Sequence, residues 1–424
     1  MRLERRTLAR IEDAALLAAE LRKLAPGGES VADVVAEVLG HVFVRGDEAV
    51  VELTRQYDTR GAEPKALRVV DAELTEALAA LDPDVRVGLE LAIANVRAVA
   101  EAGVDGERDV ALPQGQRVVL RELPVARAAV YVPGGRAAYP STVVMGVVTA
   151  RAAGVEQVVV CAPPGLDGDV HPTILAACAL AGADEVYRAG GAQAIAALAY
   201  GTETVEPVDV IVGPGSLYVQ EAKRQVADRV GIDGFAGPSD LLAIVDWAGG
   251  AELAALDLRA QGEHGADSLV VAVSPDAAVL DALTTQLADA PEPAPCVLVQ
   301  APDLDAALAL SEAFGPEHLQ LIGPGAEALA PRVTRAGCLF VGAGAATAFG
   351  DYLAGSNHVL PTDGAARYAS GLSARTFRRR MAEVRIPAHA AAELAPHGVA
   401  LAHAEGFPAH AKSMQARIRE NGAQ

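Results

Sequence analysis

The 424-residue chain is poor in cysteine, with four at positions 161, 178, 296 and 338, and aromatic side chains make up only 4% of it. None of the cysteines stands in a CxxC pair, which excludes a local thiolate zinc site or redox dithiol and leaves any metal to other ligands. Isolated thiols of this kind usually behave as small buried hydrophobes. Long hydrophobic runs are missing too. The longest nearly unbroken one, Ile174 to Ala183, is too short to span a bilayer, and no apolar core follows the basic residues of MRLERRTLAR. A cytoplasmic protein is expected. Positive charge is scarce, with 35 Lys and Arg against 55 Asp and Glu and a formal net charge of −20. That surplus disfavours a broad footprint on nucleic acid or an anionic membrane, while a local anion pocket stays open.

What is abundant is aliphatic: hydrophobic residues make up 51%, with Ala, Val and Leu carrying the excess, as in helix-on-sheet layers. The length exceeds what one core usually supports, so more than one domain is expected. Residues 28 to 110 read as helical, as in VADVVAEVLGHVF and LELAIANVRAVAEAG. Beyond Arg121 the pattern becomes β-rich runs followed by Gly or Pro and then an amphipathic stretch. ARAAVYV, QVVVCA, DEVYRA and VDVIVG read as strands, followed by PGGR, PPGLDG, GGAQ and PGS. In a parallel sheet these turns share one carboxyl edge, where helix N-termini offer N–H groups to phosphates and a nucleotide could lie. None of the turns is a GxGxxG motif, so a nonclassical mode is implied.

A second series, LLAIVD, LVVAVS, CVLVQ and CLFVG, predicts a second sheet. After Ala374 the basic RTFRRRM leads into a helical tail too polar to fold alone, which is expected to dock elsewhere, such as on another subunit. The fold expected is α/β, with two Rossmann-like parallel-sheet domains, a helical N-terminal region and a C-terminal helical tail.

Three segments could carry chemistry. In AQGEHGADS, Gln261 and His264 are three apart near a helix end and share a face; they could grip one ion, or form a solvated helix terminus. Asp351 and His358 share the loop FGDYLAGSNHVLPT, while HAEGFPAH holds Glu405 and His410. An Asp, two His and an amide oxygen would suit zinc with positions left for substrate. In AFGPEHLQL, Glu317 and His318 on an irregular turn offer two general bases, or equally the start of a surface helix. The other histidines, including His41, His171, His389, His397 and His403, read as structural or solvated.

YVPGGRAAYPST, GGAQAIAALAYGTETV, DVIVGPG, EAKRQVADRVGIDGFAGPSD, AQGEHG, GPEHL and GDYLAGSNHVLPT occur in an order that resembles the histidinol dehydrogenase family, densely over about residues 120 to 375. The resemblance implies NAD-dependent oxidation of L-histidinol through a bound aldehyde to L-histidine, at the last stage of histidine biosynthesis, by a homodimer with shared active sites. It assigns one zinc per subunit to Gln261, His264, Asp351 and His410. Substrate contacts become Ser239, His318, His358 and Glu405, with the zinc ligands alongside, and NAD contacts become Tyr131, Gln193 and Ser216. His318 and Glu317 are the implied bases, His318 taking the hydroxyl proton and Glu317 activating the water that hydrates the aldehyde.

Two departures stand out: Ser216 where Asn is usual, with a shorter reach, and Asp240 where Glu is usual. The division expected is an N-terminal arm at 1–21 and a discontinuous catalytic α/β domain at 22–124 plus 238–373. An NAD-binding α/β domain follows at 125–237, and the tail at 374–424 reaches the partner subunit. The rival readings are a homologous zinc alcohol dehydrogenase acting on another polyol or a sulfonated alcohol, and a noncatalytic metal-binding scaffold. His358 and Glu405 at the imidazole subsite argue against the first, and the adjacent bases Glu317 and His318 argue against the second.

Overall fold

The computed structural model describes residues 1–25, 30–134, 137–235 and 237–419, so the second half of PGGR and Ala236 of the FAGPSD stretch lie outside the described residues. Two compact units emerge. The first comprises Met1–Gly103 and Val125–Phe377, and the second Val104–Pro124 and Arg378–Gln424.

The first unit contains two parallel sheets. One has five strands in the order Glu185–Arg188, Gln157–Ala162, Arg127–Tyr131, Val210–Val212 and Gly231–Ile232. The other has six, in the order Arg2–Thr7, Pro295–Gln300, Leu269–Ser274, Asp240–Val245, His318–Ile322 and Cys338–Val341. All the strands expected from the two α/β series form. The opening residues, read as part of an arm, instead add a parallel edge strand, with Leu3 opposite Cys296 and Arg5 opposite Leu298.

Alternation explains the second sheet's two cores. Leu242, Ile244, Val271 and Val299 face the helices Ala14–Arg22 and Leu304–Phe314, whereas Leu241, Val245, Val270 and Leu298 face Ala251–Gly262 and Ala277–Leu287. Successive side chains of a strand point to opposite faces, and both faces here are covered, so the strands are continuous aliphatic runs.

The helices of the N-terminal region pack differently from the expected division. Val35, Val38, Leu39 and Val42 of Ala32–Arg45 and Val50 and Leu53 of Asp47–Tyr57 join Ala129, Tyr131, Ile195 and Val219 in the core of the five-stranded sheet. The long helix Pro83–Ala102 packs on helices Thr149–Ala152 and Pro172–Ala181, again on the side of this sheet. Apolar stripes seek the nearest uncovered sheet face, which sequence order does not reveal.

The second unit is an antiparallel sheet of Arg108–Ala111, Arg117–Pro124 and Arg378–Arg385, together with helices Ala388–Ala404 and Pro408–Arg419 that pack on one another. RRRM, read as the lead into a helix, is therefore strand. Its pairing partner lies far back in the sequence, with Met381 opposite Arg121 and Val384 opposite Val118. Among the described residues no helix is long and apolar enough to cross a membrane, and all four cysteines are free, three of them buried.

The turn after strand Val210–Val212 is held by a buried ion pair. Lys223 contacts Asp233 and donates to the Gly213 carbonyl at 3.1 Å, while Gly213 N–H donates to Asp233 at 2.7 Å. Gly213 has φ of +117°, and a Cβ there would lie 2.1 Å from the Tyr131 carbonyl oxygen, so no other residue fits. Removing one partner of a buried pair strands the other charge. Lys223→Met is expected to lower unfolding free energy by about 3–5 kcal/mol, read by denaturant titration; a loss below about 1 kcal/mol, the range of an exposed pair, would show that the turn does not depend on it.

Candidate active site

The site begins at the amino edge of the six-stranded sheet. Asp240 and His318 open neighbouring parallel strands, with His318 in register with Leu241 on one side and Cys338 on the other. Instead of lying on an irregular turn, His318 is the first residue of a fully paired strand and is 3% exposed; Glu317 before it is 5% exposed.

Asp240 and Glu317 clasp each other. Asp240 N–H donates to Glu317 Oε2 at 2.9 Å, and Glu317 N–H donates to Asp240 Oδ1 at 2.8 Å. Arg22 reaches the same carboxylate of Asp240 and also donates to the carbonyls of Phe314 and Gly315 at 2.9 and 3.2 Å, its guanidinium 3.6 Å from the Phe314 ring centroid. Burial, and then the charge of Asp240, raises the Glu317 carboxyl well above the usual carboxylate range, with a hydrogen bond from Ser239 acting against the shift. Burial lowers the His318 pKa, so the ring is held neutral. His318 Nδ1 lies 3.2 Å from the Asp240 carbonyl oxygen, an obligate acceptor. The proton therefore sits on Nδ1 and leaves the Nε2 lone pair able to accept.

The remaining residues of this unit converge on the pair. Helix Ala251–Gly262, carrying Gln261, packs on helix Thr347–Tyr352, carrying Asp351. His264 keeps an exposed edge, yet desolvation and then repulsion from His318 lower its pKa. Asp351 is raised by burial and partly restored by His318. His358 Nδ1 is 3.1 Å from the Asp351 carbonyl, its Nε2 is 3.3 Å from Thr142 Oγ1, and burial takes its pKa down to about 4. Ser239, through its bond to Glu317, completes the group.

This cluster meets the other sheet through one loop. Thr142 belongs to helix Pro140–Val143, which follows strand Arg127–Tyr131, and Asn357 donates at 3.0 Å to the Met145 carbonyl inside the π-helix Val144–Val148. A π-helical turn frees carbonyls from the regular ladder, and such turns favour functional sites. At the carboxyl edge of the five-stranded sheet a cleft of about 960 Å³ is lined by Tyr131, Gln193 and Ser216, the three expected cofactor contacts. Tyr131 and Gln193 are buried, whereas Ser216 stands exposed before helix Leu217–Val226.

Glu405 and His410 belong to the second unit, where both are exposed; the His410 ring lies 5.3 Å from that of Phe407. Among the described residues, no three His, Cys, Asp or Glu side chains gather as a metal cluster. The donors that do converge still fit zinc: a neutral imidazole, a carboxylate, and the amide of Gln261, which is 2% exposed with an Nε2 that no described group satisfies. Exchanging the amide's ends would turn its oxygen to a cation. Gln261, His264 and Asp351 would hold the ion, with a further ligand still needed.

Sequence reasoning missed Asp58. It lines the cleft, accepts at 3.3 Å from Gly190 N–H and at 3.2 Å from Gln193 Nε2, and burial raises its pKa to about 6. Its only local signal was an acid at a helix end. His171, read as structural or solvated, also lines the cleft and accepts from Thr173 N–H at 3.3 Å.

A two-sheet α/β fold with buried acid–base groups at the amino edge of one sheet, and a large cleft at the glycine-rich carboxyl edge of the other, has the architecture of an α/β enzyme. The sequence profile of histidinol dehydrogenases matches residues 23–418, and the chain belongs to that family. It is 42% identical over 402 residues to histidinol dehydrogenase of Ruegeria pomeroyi, covering 92% of this chain and 93% of that one. It is 41% identical over 432 residues to that of Mycobacterium bovis, covering 96% and 97%. The crystal structure of histidinol dehydrogenase from Elizabethkingia anophelis superposes with a TM-score of 0.90 at 29% identity, covering 100% and 99% of the two chains.

A carboxyl whose folded pKa exceeds its unfolded value contributes stability below the unfolded pKa, and that contribution is lost as pH rises through the folded one. For Asp58 the loss runs from the ordinary aspartate range up to about 6. Asp58→Asn keeps an acceptor without the charge and is expected to gain about 1–3 kcal/mol over wild type at pH 8, a gain that shrinks as pH falls below 6. Denaturant curves at pH 5 and 8 test this. A difference independent of pH would mean that folding does not raise the Asp58 carboxyl.

Proposed function

We propose that the chain oxidises L-histidinol through a bound L-histidinaldehyde to L-histidine in two successive two-electron steps, with NAD taken up in the cleft and one zinc per subunit. The carrying observation is the pairing of a neutral His318, its Nε2 lone pair open, with a buried Glu317 of raised pKa.

NAD, when bound, supplies the hydride acceptor for both oxidations, and zinc, when bound, supplies a Lewis-acidic anchor for the substrate's amine and imidazole nitrogens. In the first oxidation His318 Nε2 accepts the hydroxyl proton as the alcohol becomes an aldehyde; burial keeps the ring neutral and so able to accept. The aldehyde must then add water before it can lose a second hydride. Glu317, adjacent on the same edge, takes the water proton, and its raised pKa makes the ionised carboxylate a stronger base than a solvated one. His358, tied to the Asp351 carbonyl and Thr142, orients the wall around the substrate's imidazole. Enclosure in the cytoplasm, where the substrate and NAD would be supplied, fits this reading.

The zinc set assigned here needs His410, and the substrate set needs Glu405. Both lie in the second unit, and, as the resemblance implies shared active sites, we assign them to the tail of a partner copy in a homodimer. Chelation is expected to abolish activity, with zinc restoring it. A verified heterodimer of a His410→Ala chain and a His318→Ala chain, each inactive alone, is expected to recover part of the activity. Active protein free of divalent metal would defeat the zinc assignment, and no recovery would place all the residues in one subunit.

The division of labour between the bases is tested by single-turnover NADH formation from histidinol and from supplied histidinaldehyde. Glu317→Gln is expected to slow aldehyde oxidation by about 10²–10⁴-fold, the usual worth of a general base, and to slow the alcohol step far less. His318→Asn is expected to damage both steps. Equal losses at both steps in Glu317→Gln, with substrate binding unchanged, would make the pair one coupled base.

A further inference from the structure

Asp58 has no part in the chemistry just described, yet it stands in the wall of the cofactor cleft. It follows helix Asp47–Tyr57 and reaches a turn 132 residues further along the chain. Oδ2 takes two hydrogen bonds at once, from Gly190 N–H and from the Gln193 side-chain amide. The next N–H, that of Gly191, donates to the Tyr131 hydroxyl at 3.1 Å. Asp58, Gly190, Gly191, Gln193 and Tyr131 thus form one connected network, two members of which are expected cofactor contacts.

The turn has no slack on this side. A Cβ on Gly190 would lie 2.5 Å from Pro163 Cβ and 2.8 Å from Asp58 Oδ1, and Gly191 has φ of +60°. The amide of Gln193 has its nitrogen committed to Asp58, which leaves the oxygen as its acceptor towards a ligand. Without that tie the amide could rotate and present a donor instead. No cation interacts with the Asp58 carboxylate among the described residues, so the charge is kept partly buried at a cost that packing does not require.

We propose that Asp58 is a positioning residue of the cofactor cleft, which fixes the Gly190–Gln193 turn and the direction of the Gln193 amide so that Gln193 and the Tyr131 hydroxyl meet a dinucleotide preorganised. The proposal rests on the reading of the cleft as the NAD site. Preorganisation of this kind affects affinity by sparing the ligand the cost of ordering its site.

The experiment measures NAD binding by calorimetry, together with KM and kcat for NAD and for histidinol, in wild type, Asp58→Ala and Asp58→Asn. Asp58→Ala is expected to weaken NAD about ten- to a hundredfold, the worth of hydrogen bonds to a charged acceptor, with kcat at saturating NAD and KM for histidinol near wild type. Asp58→Asn retains an acceptor for Gly190 N–H and is expected to restore most of the affinity. If Asp58→Ala does not fold, a double-mutant cycle of Asp58→Leu, which fills the space without an acceptor, with Gln193→Ala replaces it, with less than additive losses expected. The proposal is overturned if NAD affinity in Asp58→Ala stays within twofold of wild type, if the loss falls on histidinol, or if the cycle is additive. Wild-type protein that fails to bind NAD overturns the cofactor reading and this proposal with it, whereas wild type and Asp58→Ala binding NAD equally well overturn this proposal alone.

Discussion

Two carboxylates lie side by side at the amino edge of the six-stranded sheet, and the site depends on the clasp between them. Asp240 and Glu317 each lend a backbone N–H to the other's carboxylate, and Arg22 neutralises Asp240 while closing the carbonyl end of helix Leu304–Phe314. Unpaired buried carboxylates would be prohibitively costly; three charge-assisted contacts make them tolerable and fix their orientation. Register sets the rest. Because His318 lies opposite Leu241, its Nδ1 meets the Asp240 carbonyl, and a slip of one residue would turn the imidazole to the other face.

The second constraint is the segment from Leu353 to Thr362, whose side chains bond to the helical residues that follow strand Arg127–Tyr131. His358 accepts from Thr142 of helix Pro140–Val143 and donates to the Asp351 carbonyl, while Asn357 shares the Met145 carbonyl of the π-helix with the Thr149 hydroxyl. Both histidines that would face substrate, His318 and His358, are held neutral by enclosure, and carbonyl acceptors fix the tautomer of each. Acid–base chemistry and geometry therefore come from the same hydrogen bonds. Asp240, where the resemblance leads one to expect a Glu, reaches the Glu317 N–H and Arg22, so the clasp is made with the shorter side chain.

Much of this was legible from local pattern. The strands with glycine-rich turns announce a parallel sheet because aliphatic runs and glycines sit at fixed places in a βαβ repeat, and Tyr131, Gln193 and Ser216 do line one cleft. Gln261 lies in the last turn of helix Ala251–Gly262, but His264 falls beyond its end, so the shared helix face expected from their spacing does not form. Other features left no local trace. The strand Arg2–Thr7 has five charged or polar residues and becomes a strand only because Pro295–Gln300 offers it an edge. Arg378–Arg385 is likewise made by its partner Arg117–Pro124. The helices before residue 103 were assigned by chain order to one sheet and pack mostly on the other.

The amino-acid sequence by itself determined the α/β class, the family and the residue types available for acid–base and metal chemistry, because those reside in short-range periodicity and in motifs a few residues long. Only the tertiary structure decided that His318 opens a buried strand directly after Glu317, where a surface helix start was equally open, that Asp240 and Arg22 hold the pair, and that Asp58 reaches Gln193. Those facts depend on strand register, burial and contacts between residues far apart in the chain. Such interactions arise when separate apolar faces close on one another, and no local stretch of sequence contains them.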